Sequence, residues 1–298
     1  KKSILNENLA GEMTSVFLPT TACAVTSFLT GVAPQQHGLT GWFMNLKEAG
    51  VVSAVLPFVP RYGGEVLSDY DIDMKNIINC ESFFKKIKAS KFLIQEEKIA
   101  YSDYSRIMAD KAKVGSFKNL SGFFSKIKKA IKYNNKKKYI YAYWSEFDHI
   151  CHDYGIGSKK CEKHFKELDK GLRKFIKQIK GTNSALIITA DHGFMNIAET
   201  ISIEDYPEIK ECLDLPLCGD ARTVYCYVNY QKRELFEKLV REKLGNYCDI
   251  YKSSELIENN YFGLFEANEK LIHRVGDYTL ICKEKYSLRD SIDGKVKL

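Results

Sequence analysis

The chain has 298 residues, 45% of them hydrophobic and 28% charged, with a formal net charge of +7. These proportions describe a globular protein, long enough for one large α/β domain with insertions or for two domains. No run reaches roughly 18 consecutive apolar residues, so no membrane span is expected within the sequence, and the opening Lys1-Lys2-Ser3-Ile4-Leu5-Asn6, which has no initiating Met, does not itself carry the apolar core of a signal peptide. The nine cysteines (23, 80, 151, 161, 212, 218, 226, 248 and 282) are odd in number and scattered, with no Cys-x-x-Cys pair. Reduced thiols in a cytoplasmic compartment are therefore expected. The lysines between Lys118 and Lys138 read as a solvated helix face, because no aromatic stacking motif accompanies them. No nucleic-acid-specific motif is present, although the positive charge favours a polyanionic substrate.

In chain order, Thr14 to Leu18 predicts a short strand broken by Pro19-Thr20-Thr21, and Ala22 to Leu29 predicts a helix closed by Thr30-Gly31. A hydroxyl in the first turn of a helix lies among free backbone N–H groups and the positive end of the helix dipole. Thr20 or Thr21 therefore suits an N-cap or a hold on a phosphoryl group. Val51 to Leu67, punctuated by Pro57, Pro60 and Gly63-Gly64, predicts a strand and then a loop. Ser82 to Ala89 and Leu120 to Tyr133 predict amphipathic helices, with a short strand around Lys98 to Tyr101.

Tyr139 to Trp144 (YIYAYW) predicts a buried strand running into Ser145-Glu146-Phe147-Asp148-His149-Ile150-Cys151-His152. Asp148 and His152 are four apart, on one side of a helical turn, where they can share a metal. Lys159 to Ile179 predicts a helix, with Phe165, Leu168, Leu172, Phe175 and Ile179 on one stripe. Next, Ser184 to Phe194 (SALIITADHGF) predicts a central parallel strand that ends at Asp191-His192-Gly193. A carboxylate and an imidazole at the carboxyl edge of a sheet make two ligands for a divalent cation; a strand-ending turn with an Asp cap is the plainer reading. Arg222 to Tyr230, Cys248 to Tyr251 and Tyr278 to Cys282 predict strands, and Gln231 to Leu244 a helix. The expected fold is α/β, a central mostly parallel sheet flanked by helices. Residues 1–200 form the main core with an insertion at about 69–135, residues 201–275 a smaller α+β cap, and residues 276–298 a return to the core sheet.

Three stretches together resemble the alkaline phosphatase superfamily, and within it the type I phosphodiesterase/nucleotide pyrophosphatase branch. They are Thr20-Thr21 with Thr30-Gly31 and His37-Gly38, then Asp148 with His152 and Gly155, then Asp191-His192-Gly193. The resemblance implies an alkaline phosphatase-like core and two divalent metal ions, most often zinc with manganese as the other candidate. It also implies a small phosphorylated substrate, with Thr21 as nucleophile beside the metals. Asp148 and His152 then fall at ligands of one metal, and Asp191 and His192 at ligands of the other. The sequence departs from the family pattern in several places. Phe147 and Cys151 stand where the family has Pro and Gly, and Ala24 replaces an Asn that helps bind phosphoryl oxygens. The family's early metal-binding Asp and its late His-Gly have no counterpart, so both are expected beyond Lys1 and Leu298, with His273 as the substitute to consider. His149, His164 and His37 are expected in surface, packing and structural roles, and Glu146 and Asp153 either orient ligating histidines or are solvated. Two alternatives share the motifs: a phosphomonoesterase or phosphomutase of the same superfamily, and a catalytically inactive phospho-ligand binding module.

Overall fold

The computed structural model describes residues 2–290. Lys1 and residues 291–298, the end of the segment expected to return to the core sheet, lie outside the described residues. The strands in chain order are β1 (Phe43–Leu46), β2 (Val51–Ala54), β3 (Val59–Pro60), β4 (Ser90–Glu96), β5 (Lys113–Phe117), β6 (Lys138–Ala142), β7 (Glu199–Ser202), β8 (Cys218–Asp220), β9 (Thr223–Cys226), β10 (Cys248–Lys252), β11 (Tyr278–Cys282) and β12 (Tyr286–Arg289). They belong to two compact units, one made of Lys1–Thr14 with Glu81–Ala190 and the other of Ser15–Cys80 with Asp191–Leu298.

The first unit holds a parallel sheet in the order β5-β4-β6. Its strands can be parallel because helices supply the crossovers that parallel pairing requires: Asp103–Ala109 between β4 and β5, and Leu120–Ile131 between β5 and β6. The second of these helices begins where Asn119 accepts a hydrogen bond from the Gly122 N–H at 2.9 Å. It buries Phe123, Phe124, Ile127 and Ala130, the three-and-four spacing of an amphipathic face. These pack with Phe92 and Ile94 of β4 and with Leu172 and Phe175 of helix Lys159–Ile179. The Phe124 and Phe175 rings stack at 5.2 Å. Truncating Phe175 to Ala would cost about 3–5 kcal/mol, the range for a fully buried phenyl ring.

The second unit carries a seven-stranded sheet in the order β10-β11-β9-β8-β1-β2-β3, and every pairing in it is antiparallel. The expected central, mostly parallel sheet is corrected accordingly: among the described residues, parallel pairing is confined to the three-stranded sheet and to the two-stranded pair β12–β7. Short connections force antiparallel pairing for the local pairs, since β1 and β2 are joined through residues 47–50 and β8 and β9 through residues 221–222, whereas a parallel return needs a dozen or more residues. Helix Arg233–Lys243 lays Phe236 and Val240 onto this sheet, with Val224, Cys226, Tyr278 and Leu280 among their neighbours in the core. Two residues before β1 the backbone of Gly41 passes so close to Gly219 that an added Cβ would lie 2.7 Å from the Gly219 Cα.

Other local expectations also shift. Thr14 to Leu18 is irregular, and Ser82 to Ala89 yields only a 3-10 turn at Phe83–Lys86. Lys98 to Tyr101 is a turn, because the strand is the preceding Ser90–Glu96. The largest correction concerns Ser184 to Ala190, which forms no strand and leaves Leu186, Ile187 and Ile188 exposed at 42%, 88% and 47%. A strand apolar on both faces is stable only with ladder partners and covering helices, and among the described residues β6 pairs with β4 alone.

Candidate active site

The backbone of Thr20 is extended (φ −124°, ψ 152°), and its carbonyl accepts from the Ala24 N–H at 3.0 Å, opening helix Thr21–Thr30. Thr20 makes no side-chain cap, which leaves the first turn's N–H groups without that partner. Gly31 closes the helix with φ +74°, a left-handed conformation that glycine adopts without strain. Within the helix the Thr26 and Thr30 hydroxyls donate to the carbonyls of Ala22 and Thr26, one turn back. The Thr21 hydroxyl instead meets His192: Oγ1 and Nε2 are 3.1 Å apart.

The other imidazole nitrogen fixes the roles. His192 Nδ1 lies 3.0 Å from the Gly193 carbonyl oxygen, which can only accept, so Nδ1 carries the proton and Nε2 presents its lone pair to the Thr21 hydroxyl. Asp191 Oδ2 is 3.7 Å from the same Nε2, while Asp191 Oδ1 accepts from the His192 backbone N–H at 3.2 Å. Both side chains are largely shielded, at 9% and 16% exposure for His192 and Asp191. The Ser15 hydroxyl donates to the Asp191 carbonyl.

This donor set fits a divalent cation. A hydroxyl oxygen and a carboxylate oxygen stand around one imidazole lone pair, and the second ring nitrogen is oriented by a carbonyl, as in metal-binding histidines. Among the described residues no group of three or more His, Cys, Asp and Glu side chains gathers at one point; here the third donor is a threonine. Ser15 and Gly193 were invisible to sequence reasoning in these roles. Their contributions are a hydroxyl 176 positions from its acceptor and a backbone carbonyl, and neither leaves a motif.

In the other unit, Asp148 and His152 fall one turn apart on helix Glu146–Tyr154, just beyond the carboxyl end of β6, with Oδ1 and Nε2 3.3 Å apart. His152 is 67% exposed and Asp148 20% exposed. The Ser145 hydroxyl at the head of this helix donates to Glu96 at 2.9 Å. On the buried side of the helix, Cys151 meets Cys161. Burial and that neighbour push the Cys151 thiol up to about 12.

The remaining histidines take other roles. His149 is exposed. His164 accepts from Trp144 Nε1 at 3.1 Å and stacks on that ring. His273 accepts from Lys47 Nζ at 3.0 Å. His37 is fully buried: its Nδ1 accepts from the Leu39 N–H, so Nε2–H donates to the Ser27 hydroxyl, each at 3.1 Å.

The family profile of type I phosphodiesterase / nucleotide pyrophosphatase matches residues 2–297. The chain belongs to this family. No curated protein matches it. Solved structures do. Murine ectonucleotide pyrophosphatase/phosphodiesterase 5 is 19% identical with a TM-score of 0.67, covering 95% of this chain and 72% of that one. Its human counterpart is 16% identical with a TM-score of 0.65, over 93% and 71% of the two chains. Phosphonoacetate hydrolase from Sinorhizobium meliloti, in complex with phosphonoformate, is 13% identical with a TM-score of 0.65, over 93% and 73%. At these identities the likeness shows a shared α/β fold. As a member of the type I phosphodiesterase/nucleotide pyrophosphatase family the protein is a hydrolase of a generally metal-dependent class. Among the described residues no helix is long and apolar enough to cross a membrane.

Proposed function

We propose that this hydrolase cleaves phosphodiester or pyrophosphate bonds of a small nucleotide-like substrate with Thr21 as the nucleophile. The observation that carries the reading is the Thr21 hydroxyl at the head of its helix, 3.1 Å from the His192 Nε2 lone pair. Asp191 and His192 would hold one divalent cation beside Thr21, and Asp148 with His152 would supply ligands for a second, zinc first and manganese next. A bound divalent cation eases loss of a nearby hydroxyl proton and neutralises phosphoryl charge. Thr21 Oγ1 attacks phosphorus, the P–O bond to the leaving group breaks, and the phosphoryl or nucleotidyl group rests on Thr21 until water displaces it. The first-turn N–H groups of helix Thr21–Thr30, which the Thr20 side chain does not cap, would donate to the incoming phosphoryl oxygens. Gly193 keeps the His192 ring in its tautomer, and Ser15 ties down the Asp191 backbone. Ala24 offers no donor to the phosphoryl group, so that contribution is missing.

Two neighbours support the chemistry by what they hold: a threonine-to-alanine variant of the murine pyrophosphatase, described as inactive, with AMP, and the phosphonoacetate hydrolase with phosphonoacetate. The odd, scattered cysteines, with no Cys-x-x-Cys pair, support a reducing, cytoplasmic compartment. The test is hydrolysis of bis(p-nitrophenyl) phosphate by the full-length protein with added zinc or manganese. Thr21→Ala should abolish turnover, and substantial activity in that variant would remove Thr21 from the mechanism. A monoester substrate preferred by orders of magnitude would instead make the enzyme a phosphomonoesterase or phosphomutase. Less than about one metal per chain in folded full-length protein would favour the inactive binding module, a reading supported by Ala24.

A further inference from the structure

Helices Glu146–Tyr154 and Lys159–Ile179 are joined by residues 155–158, a connection in which Gly155 and Gly157 adopt φ of +78° and +81°. This tight joint folds the last turn of the first helix onto the first turn of the second. Cys151 and Cys161 face each other across it, with their sulfurs 3.4 Å apart and both side chains buried. A disulfide requires about 2.05 Å between sulfurs, so the pair must close by a little over 1 Å, within reach of small side-chain rotations. By contrast, Cys248 and Cys282 are opposite each other in the β10–β11 ladder, yet their thiols donate to the different carbonyls of Leu244 and Ala221.

We infer that Cys151 and Cys161 form a reversible disulfide that fastens the turn bearing His152 to helix Lys159–Ile179. The oxidant is a small-molecule disulfide of the glutathione class. One cysteine sulfur bonds to a sulfur of the reagent and releases its other half as a thiol, and the second cysteine sulfur then displaces the remaining half. One S–S bond breaks and one forms, and the two protein S–H protons leave on the two thiols released. Because both sulfurs are buried, the exchange proceeds through local opening of the joint, and the closed disulfide holds the joint shut. The consequence for cation binding rests on Asp148 and His152 being ligands; the disulfide itself does not.

The test equilibrates the whole chain in glutathione buffers from fully reduced to fully oxidised, then quenches, alkylates and maps the peptides. The expected result is a linked peptide containing Cys151 and Cys161, lighter by two hydrogens than the reduced pair and restored by dithiothreitol. Native trypsin cutting after Lys159 and Lys160 should slow on oxidation, and the slowing should vanish in both Cys151→Ser and Cys161→Ala. Free alkylatable thiols at both positions after oxidation of the folded chain overturn the inference. So does a linkage that leaves the rate of cutting unchanged. Zinc content of the reduced chain tests the ligand reading separately, since it does not involve the disulfide.

Discussion

Replacing His37 by asparagine tests the fold beneath the nucleophile helix. The side chain is fully buried, accepts from the Leu39 N–H through Nδ1 and donates to Ser27. Burial, with the Arg274 charge adding to it, pushes its pKa down from 6.5 to about 3. Between those values the unfolded chain binds the proton and the folded chain does not. Stability from this group is therefore complete above pH 6.5 and is lost progressively as pH falls toward 3. The limiting slope is about 1.4 kcal/mol per pH unit, and between about pH 8 and pH 5 the loss comes to about 2 kcal/mol. Urea unfolding of the parent and of His37→Asn at both pH values measures it. The variant is less stable at both, but its loss on acidification should be smaller by about 2 kcal/mol, with all other titrating groups cancelling in the difference. Equal losses in the two proteins would refute the reasoning, because His37 would then carry its proton in the fold as readily as in the unfolded chain.

Chelation with EDTA should remove hydrolysis of bis(p-nitrophenyl) phosphate and added zinc should restore it. His192→Asn should lower the bound metal measured by mass spectrometry, whereas unchanged metal content would take His192 out of the ligand set. Arg274→Met should destabilise the chain by about 3 kcal/mol in urea unfolding, because the carbonyls of Gly38 and Ile77 lose the buried guanidinium that donates to them. Glu48 should lose part of what holds its carboxyl below the ordinary range: burial raises it, and the Lys270 hydrogen bond, its own backbone N–H and the Arg274 charge together outweigh that. Gly41→Ala should cost about 1–3 kcal/mol, read as a lower Tm, since the new methyl meets Gly219 backbone on a strand that cannot retreat.

What the sequence determined by itself was local. The spacing of Phe123, Phe124, Ile127 and Ala130 sufficed for helix Leu120–Ile131, and the stripe through Leu168, Leu172 and Phe175 for helix Lys159–Ile179, because each face is read from neighbours within two turns. The family was also legible, since its motifs are short runs of residues whose chemistry does not depend on distant partners. The sheets were not legible in the same way. An apolar run such as Ser184 to Ala190 carries strand propensity, but a strand exists only through hydrogen bonds to another strand, and none reaches this run among the described residues. The strand order of the larger sheet was likewise decided by which distant segments pair, as when β1 lies against β8 and β9 against β11. The same holds for the site. Asp191-His192 could be marked from the sequence, but the meeting of His192 with Thr21, 171 positions away, and the tautomer set by the Gly193 carbonyl came only with the folded chain. Long-range contacts of this kind are bought with loop-closure entropy and repaid by packing elsewhere in the unit, so no local pattern records them.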